Sequence, residues 1–109
     1  MATTDPARLL SIAKKRRGVA CASLTRLSAR LKDLEGEDGN AKTLELARRM
    51  SQKLSDLDSE FRTHHHAVID LIDDDEALAK EQETLDAHDD LLTELSVRLK
   101  QVIDTSSPS

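Results

Sequence analysis

Apolar residues recur at alternating steps of three and four along three long segments of the chain. This spacing puts the apolar side chains on one narrow stripe of an α-helix and is typical of coiled-coil packing. The stripes of the three segments consist of Ala20, Leu24, Leu27, Leu31 and Leu34; of Ala47, Met50, Leu54, Leu57, Phe61, His64, Val68 and Leu71; and of Leu85, His88, Leu92, Leu95, Leu99 and Val102. The pattern predicts an all-α fold of three long helices with heptad stripes.

Residues with capping preferences mark where these helices begin and end. Asp5 followed by Pro6 favours a helix start, Gly36 favours a helix end, and Asn40 can cap the next helix. The acidic run at 73–75 disfavours a helix C-terminus and favours an N-terminus, so we place the start of the third helix there. The chain is therefore predicted to form one domain over residues 1–104, with helices at about 6–35, 41–73 and 75–104, and a disordered tail at 105–109.

Short connections require neighbouring helices to run antiparallel, which lets all three stripes share one core. Folding the second and third helices about Asp74 sets Leu57 opposite Leu92 and Phe61 near His88. The predicted core and association residues are Leu24, Leu27, Leu31, Leu54, Leu57, Phe61, Leu92, Leu95 and Leu99. Because the stripes are narrow, two architectures remain open: a closed three-helix bundle, or coiled-coil hairpins that complete their core by self-association.

Composition agrees with long helices, because Phe61 is the only aromatic residue and good helix formers dominate. The formal net charge of −5 is unevenly distributed. Residues 1–35 carry eight Lys or Arg against three Asp or Glu, residues 36–74 carry five against nine, and residues 75–109 carry three against nine. Since a folded bundle brings these segments together, internal pairing is favoured over an acidic external partner for the basic first helix.

The densest cationic feature is the run Lys14, Lys15, Arg16 and Arg17. One interpretation is an electrostatic contact with nucleic acid or another anionic surface; the other is a solvated face that pairs with acids of the same chain. No aromatic residue lies nearby to stack on bases, which argues against sequence-specific reading of a single strand. Arg17 also falls at a stripe position where an apolar residue is expected, so it interrupts the stripe of the first helix.

Three consecutive histidines, His64 to His66, raise the question of a metal site. Adjacent positions of a helix point about 100° apart, so the three side chains cannot converge on one ion. His64 and His88 instead occupy stripe positions, where a polar residue helps to set register and partner choice. Protonation of these two residues near about pH 6 is predicted to loosen the assembly.

The sequence contains no nucleophile–base constellation, no glycine-rich phosphate loop and no calcium-loop spacing, so no enzyme activity, cofactor or metal is predicted. Cys21 is the only cysteine, which excludes an intramolecular disulfide. Basic residues a turn away could lower the pKa of its thiol, although a small residue at the stripe edge is the simpler interpretation. Because no apolar run is long enough to span a bilayer and no signal-peptide pattern is found, the protein is expected to be intracellular and cytoplasmic.

The segment from Lys14 to Glu35, KKRRGVACASLTRLSARLKDLE, resembles the N-terminal region of Gag polyproteins of BEL/Pao-type LTR retrotransposons. In that family a basic run and an Arg-Gly pair lead into a Ser-x-Thr-Arg-Leu helix. The matching residues here are Arg16, Arg17, Gly18, Ser23, Thr25, Arg26 and Leu27. A later Leu-rich helix, with Lys53, Leu54, Leu57 and Asp58, precedes an acidic turn and a third helix in the same order.

This resemblance covers most of the chain and implies a structural protein, or a domesticated host descendant of one, whose helical region precedes a capsid-like part and supports assembly. The capsid core, the CCHC zinc knuckle and the protease motif of such polyproteins are absent from the sequence. The predicted function is therefore protein–protein association, with further copies of the chain or with another helical protein. The alternative is binding of nucleic acid or an anionic surface through residues 14–17.

Overall fold

A computed structural model describes residues 5–107, which form three α-helices: α1 (Pro6–Glu35), α2 (Ala41–Asp70) and α3 (Asp75–Ser106). No strand occurs within this range. The predicted all-α class is confirmed, and the bounds of α1 are those expected from the sequence. Residues 108–109 of the predicted tail lie outside the described residues.

Each helix begins at a side chain that caps it. Asp5, Asn40 and Asp74 have extended backbone conformations, and the carboxylate or amide oxygen of each accepts a hydrogen bond from a backbone N–H two or three residues later, at 3.0–3.1 Å. These bonds satisfy N–H groups that have no partner within the helix. Asp75 and Glu76 then place negative charge in the first turn of α3, where the helix dipole favours it.

The end of α2 differs from the prediction, because the helix stops at Asp70 rather than at residue 73. Leu71 and Ile72 form a turn in which their backbone N–H groups donate to Val68 and Ile69, both at 3.2 Å. Continuing the helix would place the acidic run 73–75 at a C-terminus, where the helix dipole opposes negative charge. Ending three residues earlier leaves those acids to begin α3.

The end of α3 corrects the predicted tail, because Thr105 and Ser106 belong to the helix. Ser106 is buried against the loop between α1 and α2, where Gly39 approaches the backbone of α3. A Cβ added at Gly39 would lie 3.2 Å from the carbonyl oxygen of Thr105 and 3.3 Å from Oγ of Ser106. This tertiary contact, which the local sequence does not reveal, holds the last turn of α3 in place.

Side-chain pairs between helices show how the three run relative to one another. Arg17, in the first half of α1, contacts His65 near the end of α2 and Glu81 near the start of α3. Glu35, at the end of α1, pairs with Arg98 in the last third of α3. The chain therefore runs up, down and up, with α2 packed along both other helices and α1 touching α3 only slightly. The result is an elongated body of 61 × 30 × 19 Å.

The main apolar core lies in the half of the bundle that contains the α1–α2 loop. Its buried members are Leu24, Leu27, Leu31, Leu34, Ala47, Leu54, Leu57, Leu95 and Leu99. Phe61 is also fully buried. Of the predicted core residues Leu24, Leu27, Leu31, Leu54, Leu57, Phe61, Leu92, Leu95 and Leu99, only Leu92 is not buried. Leu91 and Leu92 both pack partly against the cluster, so two neighbouring residues share the place that the heptad pattern assigned to one.

Candidate functional site: a buried polar layer and a basic groove

Polar side chains interrupt the core in the half of the bundle that lies towards the α2–α3 turn. They form what we call the polar layer, composed of Arg17, Asp58, His65, Glu81 and His88, and the two histidines of this layer stack on Phe61. Among the described residues, no buried side-chain nitrogen or oxygen lacks a hydrogen-bond partner. A buried polar layer of this kind is stable only when every member is satisfied.

Arg17 joins all three helices within this layer. Its guanidinium forms an ion pair with Glu81 and donates a hydrogen bond to Nδ1 of His65 at 3.0 Å. The side chains of Arg17 and Glu81 are only 12% and 10% exposed, so the pair is largely desolvated. Because a guanidinium can only donate, Nδ1 of His65 is the acceptor and carries no proton, which makes this imidazole neutral. Lys14 approaches the same carboxylate to 3.9 Å from the protein surface.

His65, rather than the predicted His64, is the histidine inside the second stripe. His65 is 4% exposed and stacks on Phe61 with ring centroids 5.6 Å apart, whereas His64 is only half-buried. From Phe61 to Val68 the stripe advances by four and then three residues, where the prediction assumed three and then four. Both orders keep the heptad spacing, so the sequence pattern alone cannot choose between them.

Burial and the surrounding charges together lower the pKa of His65. Burial is the largest cause, followed by the positive charge of Arg17; His66 and His88 act in the same direction, and Glu81 opposes them. The direction agrees with the hydrogen bond, because an acceptor Nδ1 facing a guanidinium is stable only in the neutral form. The lowered pKa thus belongs to His65, a residue that the sequence pattern did not single out as pH-sensitive.

His88 occupies its predicted position and lies against Phe61 as expected. The two rings are nearly parallel, with centroids 3.7 Å apart, and Nε2 of His88 lies 2.9 Å from Oδ1 of Asp58. Arg62 donates to the same carboxylate at 2.9 Å and forms an ion pair with Asp89 of α3. The aromatic stack and this chain of polar contacts tie α2 to α3 at one register.

The basic run at 14–17 is divided by the fold. Lys14, Lys15 and Arg16 are exposed, whereas Arg17 points between the helices and is held by Glu81 and His65. Consecutive helix positions point in different directions, so four adjacent cations cannot form one surface. Arg17 therefore does not belong to the exposed cationic surface. It pairs with Glu81 and His65 of the same chain instead.

A different cationic surface, which the sequence interpretation missed, lies between α1 and α2. This basic groove has a volume of about 450 Å³ and is lined by Ser23, Arg26, Leu27, Arg30, Leu46, Arg49, Met50 and Lys53. Leu27, Leu46 and Met50 form its apolar floor, and Leu46 is 38% exposed. Within the described part of the chain, no acidic residue and no residue of α3 contributes to this lining. The sequence does contain a pattern that indicates this surface. Cations lie four residues apart beside the apolar stripes, at 26 and 30 on α1 and at 49 and 53 on α2.

The sequence also left open whether nearby basic residues lower the pKa of Cys21. Burial raises the pKa of the Cys21 thiol and outweighs the opposing effect of Arg17. This corrects the suggestion of a lowered pKa and fits a small packing residue.

Over residues 5–107, no three His, Cys, Asp or Glu side chains are grouped closely enough to hold a metal ion. None of the three helices in that range combines the length and apolar character that crossing a membrane requires.

Comparison with known proteins yields no match to a family model, to a curated protein or to a solved structure. The resemblance to BEL/Pao-type Gag therefore stays a prediction from the motifs in α1 and α2.

Proposed function

We propose that this protein is an interaction module that self-associates by packing helices, in the manner of an assembly element of a Gag-like structural protein. The observation that carries the proposal is the basic groove, whose apolar floor lies along α1 and α2 on a side that α3 does not line. Exposed Leu46 and half-buried Met50 leave apolar surface there that a further helix could cover.

The distribution of contacts among the helices supports the same function. In a symmetrical closed bundle each helix packs along both others, but here α1 and α3 meet only slightly. Narrow apolar stripes, each close to two positions in seven, give α1 too little apolar surface to pack equally against two partners. An additional helix along the groove would give α1, which packs extensively against α2 alone, a second close neighbour.

Sedimentation of the full chain over a concentration series from micromolar to millimolar tests this function. We expect the average mass to rise with concentration, and Leu46→Glu to suppress that rise because it puts a charge on the apolar floor. Leu9→Glu is a matched control, since Leu9 is 39% exposed and Leu46 is 38% exposed, but Leu9 does not line the groove. A wild-type mass that stays monomeric over the whole series would refute self-association.

A second function, contact with nucleic acid or another anionic surface, is supported by the exposure of Lys14, Lys15 and Arg16. It predicts binding of a labelled single-stranded RNA that weakens steeply with salt. Replacing Lys15 and Arg16 with Gln should remove most of that binding, whereas Lys80→Gln, an exposed cation on α3, should not. Binding that is unchanged in the first variant would exclude this surface.

A further inference from the structure

We propose that the basic groove of one copy receives the outer, acidic face of α3 from a second copy, so that the chains associate head to tail. This inference rests on the proposed self-association and names the two surfaces that carry it. The surfaces belong to different parts of the molecule, and each is the electrostatic complement of the other.

The groove supplies the receiving surface. Arg26 and Arg30 project from α1, and Arg49 and Lys53 project from α2, so cations flank the apolar floor on both sides. Arg49 does pair with Glu45 at 2.8 Å, but both side chains are more than 60% exposed, and such a pair contributes little. The cations of the groove therefore remain free to exchange partners with an incoming acidic helix.

Together with its continuation, the groove is long enough for about three turns of helix to lie along it. A neighbouring depression of about 380 Å³ shares Arg30, Leu46 and Met50 with it and continues to Leu34 near the α1–α2 loop. From residue 23 to residue 34 this is roughly 17 Å of helix axis, or about three turns. The continuation also contains Asp33 and Glu37, so the positive charge is concentrated at the groove itself.

The third helix supplies the inserted surface. Exposed acids recur at Glu83, Asp86, Asp90 and Glu94 in steps of three and four, on the side of α3 that points away from the core. No Lys or Arg occurs between Glu81 and Val97. Exposed Ala87 and Val97 lie on the same side, and Val97 is 52% exposed. We call this surface the acidic face; it extends for roughly 21 Å from residue 83 to residue 97, enough to cover the roughly 17 Å of the receiving surface.

Charge selects the arrangement of the two copies. A symmetric dimer that joins groove to groove would oppose cations with cations, and one that joins two acidic faces would oppose acids with acids. Only the contact of groove with acidic face pairs opposite charges, and it is heterologous because each copy uses a different surface. Each copy then retains one unused groove or acidic face, which permits further addition.

Exchange of charges between the two surfaces tests the pairing. One variant carries Arg30→Glu and Arg49→Glu in the groove, and another carries Asp90→Lys and Glu94→Lys on the acidic face. We expect each variant alone to dissociate at least about tenfold more readily than wild type, because like charges then face each other. An equimolar mixture of the two should recover association, since the unaltered groove of one variant fits the unaltered acidic face of the other.

A matched control distinguishes the effect of charge in the groove from the effect of a changed net charge. Lys32→Glu with Arg48→Glu makes the same charge change at exposed residues outside the lining, and Arg48 is the immediate neighbour of Arg49. This control should associate like wild type. Circular dichroism verifies that each chain is folded, and Arg26→Glu with Lys53→Glu replaces the first groove variant if that one does not fold.

Several outcomes would overturn the pairing. Variants that associate like wild type, or a mixture that recovers nothing, would refute these surfaces while leaving the proposed self-association intact. A wild-type chain that never associates would refute both proposals. A monomeric wild-type chain that binds a labelled single-stranded RNA through Arg30 and Arg49 would instead assign the groove to nucleic acid.

Discussion

The two halves of the bundle are stabilised by different physics. In the half that contains the α1–α2 loop, leucines from all three helices form an apolar core in which side chains such as Leu31 and Leu95 are completely buried. In the other half, His65 and His88 stack on Phe61, and Arg17 forms a largely buried ion pair with Glu81 beside His65. Apolar burial is roughly proportional to area and has little directional preference, whereas polar contacts are satisfied only in one geometry.

This difference separates stability from specificity. The leucine half tolerates alternative pairings of one leucine with another, because any close packing removes a similar area from water. The polar layer does not, because shifting α2 by one heptad would part His65 from Arg17 and leave buried groups without partners. We infer that the leucine half contributes most of the folding free energy and that the polar layer selects the register.

The largest expected effect lies in the leucine half. Leu57→Ala and Leu95→Ala should each lower the free energy of unfolding by about 2–5 kcal/mol, because each removes a buried side chain and leaves a cavity. Leu92→Ala is the matched control, since Leu92 is only partly buried, and it should cost clearly less. Urea unfolding followed by circular dichroism measures all three. Equal losses at Leu92 and Leu95 would contradict the core assignment.

The next largest expected effect concerns the ion pair between Arg17 and Glu81 in the polar layer. Glu81→Leu or Arg17→Leu alone should destabilise the fold by about 3 kcal/mol, because one charge is left desolvated and unpaired. The double variant should lose much less than the sum of the two single losses, since replacement of a buried ion pair by apolar residues is often neutral and the remaining cost is the unpartnered Nδ1 of His65. Unfolding of the four proteins forms a double-mutant cycle. Additive losses would show that the two side chains are not coupled.

A smaller effect concerns helix propensity beside the polar layer. Gly18→Ala should stabilise the protein by about 1 kcal/mol, because alanine is the better helix former and a Cβ at this position meets no atom within 4 Å. Gly39→Ala provides the contrast, because its Cβ would press against the last turn of α3 at 3.2 Å. It should bring no gain. Thermal unfolding of both variants compares the two positions, and a loss at Gly18 would contradict the open space described there.

The smallest effect is the dependence on pH. Because the pKa of His65 is lowered in the folded state, the unfolded chain binds more protons as the pH falls below about 6.5, and stability decreases in that direction. The contribution of His65 is fully present above its unfolded pKa and is lost as the pH falls towards its folded pKa. One histidine limits the slope to about 1.4 kcal/mol per pH unit.

Urea unfolding between pH 7.5 and 5 measures this slope against two variants. His65→Gln should flatten it, because the group that titrates differently in the two states is gone. His66→Gln should keep most of the slope, because burial and Arg17, the two largest causes of the lowered pKa of His65, remain. A wild-type slope that His65→Gln does not alter would place the pH dependence elsewhere.

Most of the fold could be predicted because it depends on local rules. Helix starts follow from Asp5, Asn40 and Asp74, whose side chains act on backbone groups only a few residues away. The contact of Phe61 with His88 also follows from a short turn and constant helix geometry. The choice between His64 and His65 did not follow, because both fit the heptad spacing and only the position of Arg17 distinguishes them.

The sequence by itself determined three long helices, their starts and most of the leucines that face inward, since capping and heptad spacing act over a few residues of one chain. Only the tertiary structure decided that Arg17 leaves the basic run to join His65 and Glu81, that Ser106 is held by the loop at Gly39, and that arginines from α1 and α2 meet around one groove. Each of these contacts joins residues that lie far apart along the chain. Such contacts depend on how each helix is rotated about its own axis and shifted along its neighbour. A repeating apolar stripe fixes that rotation only to within about one residue.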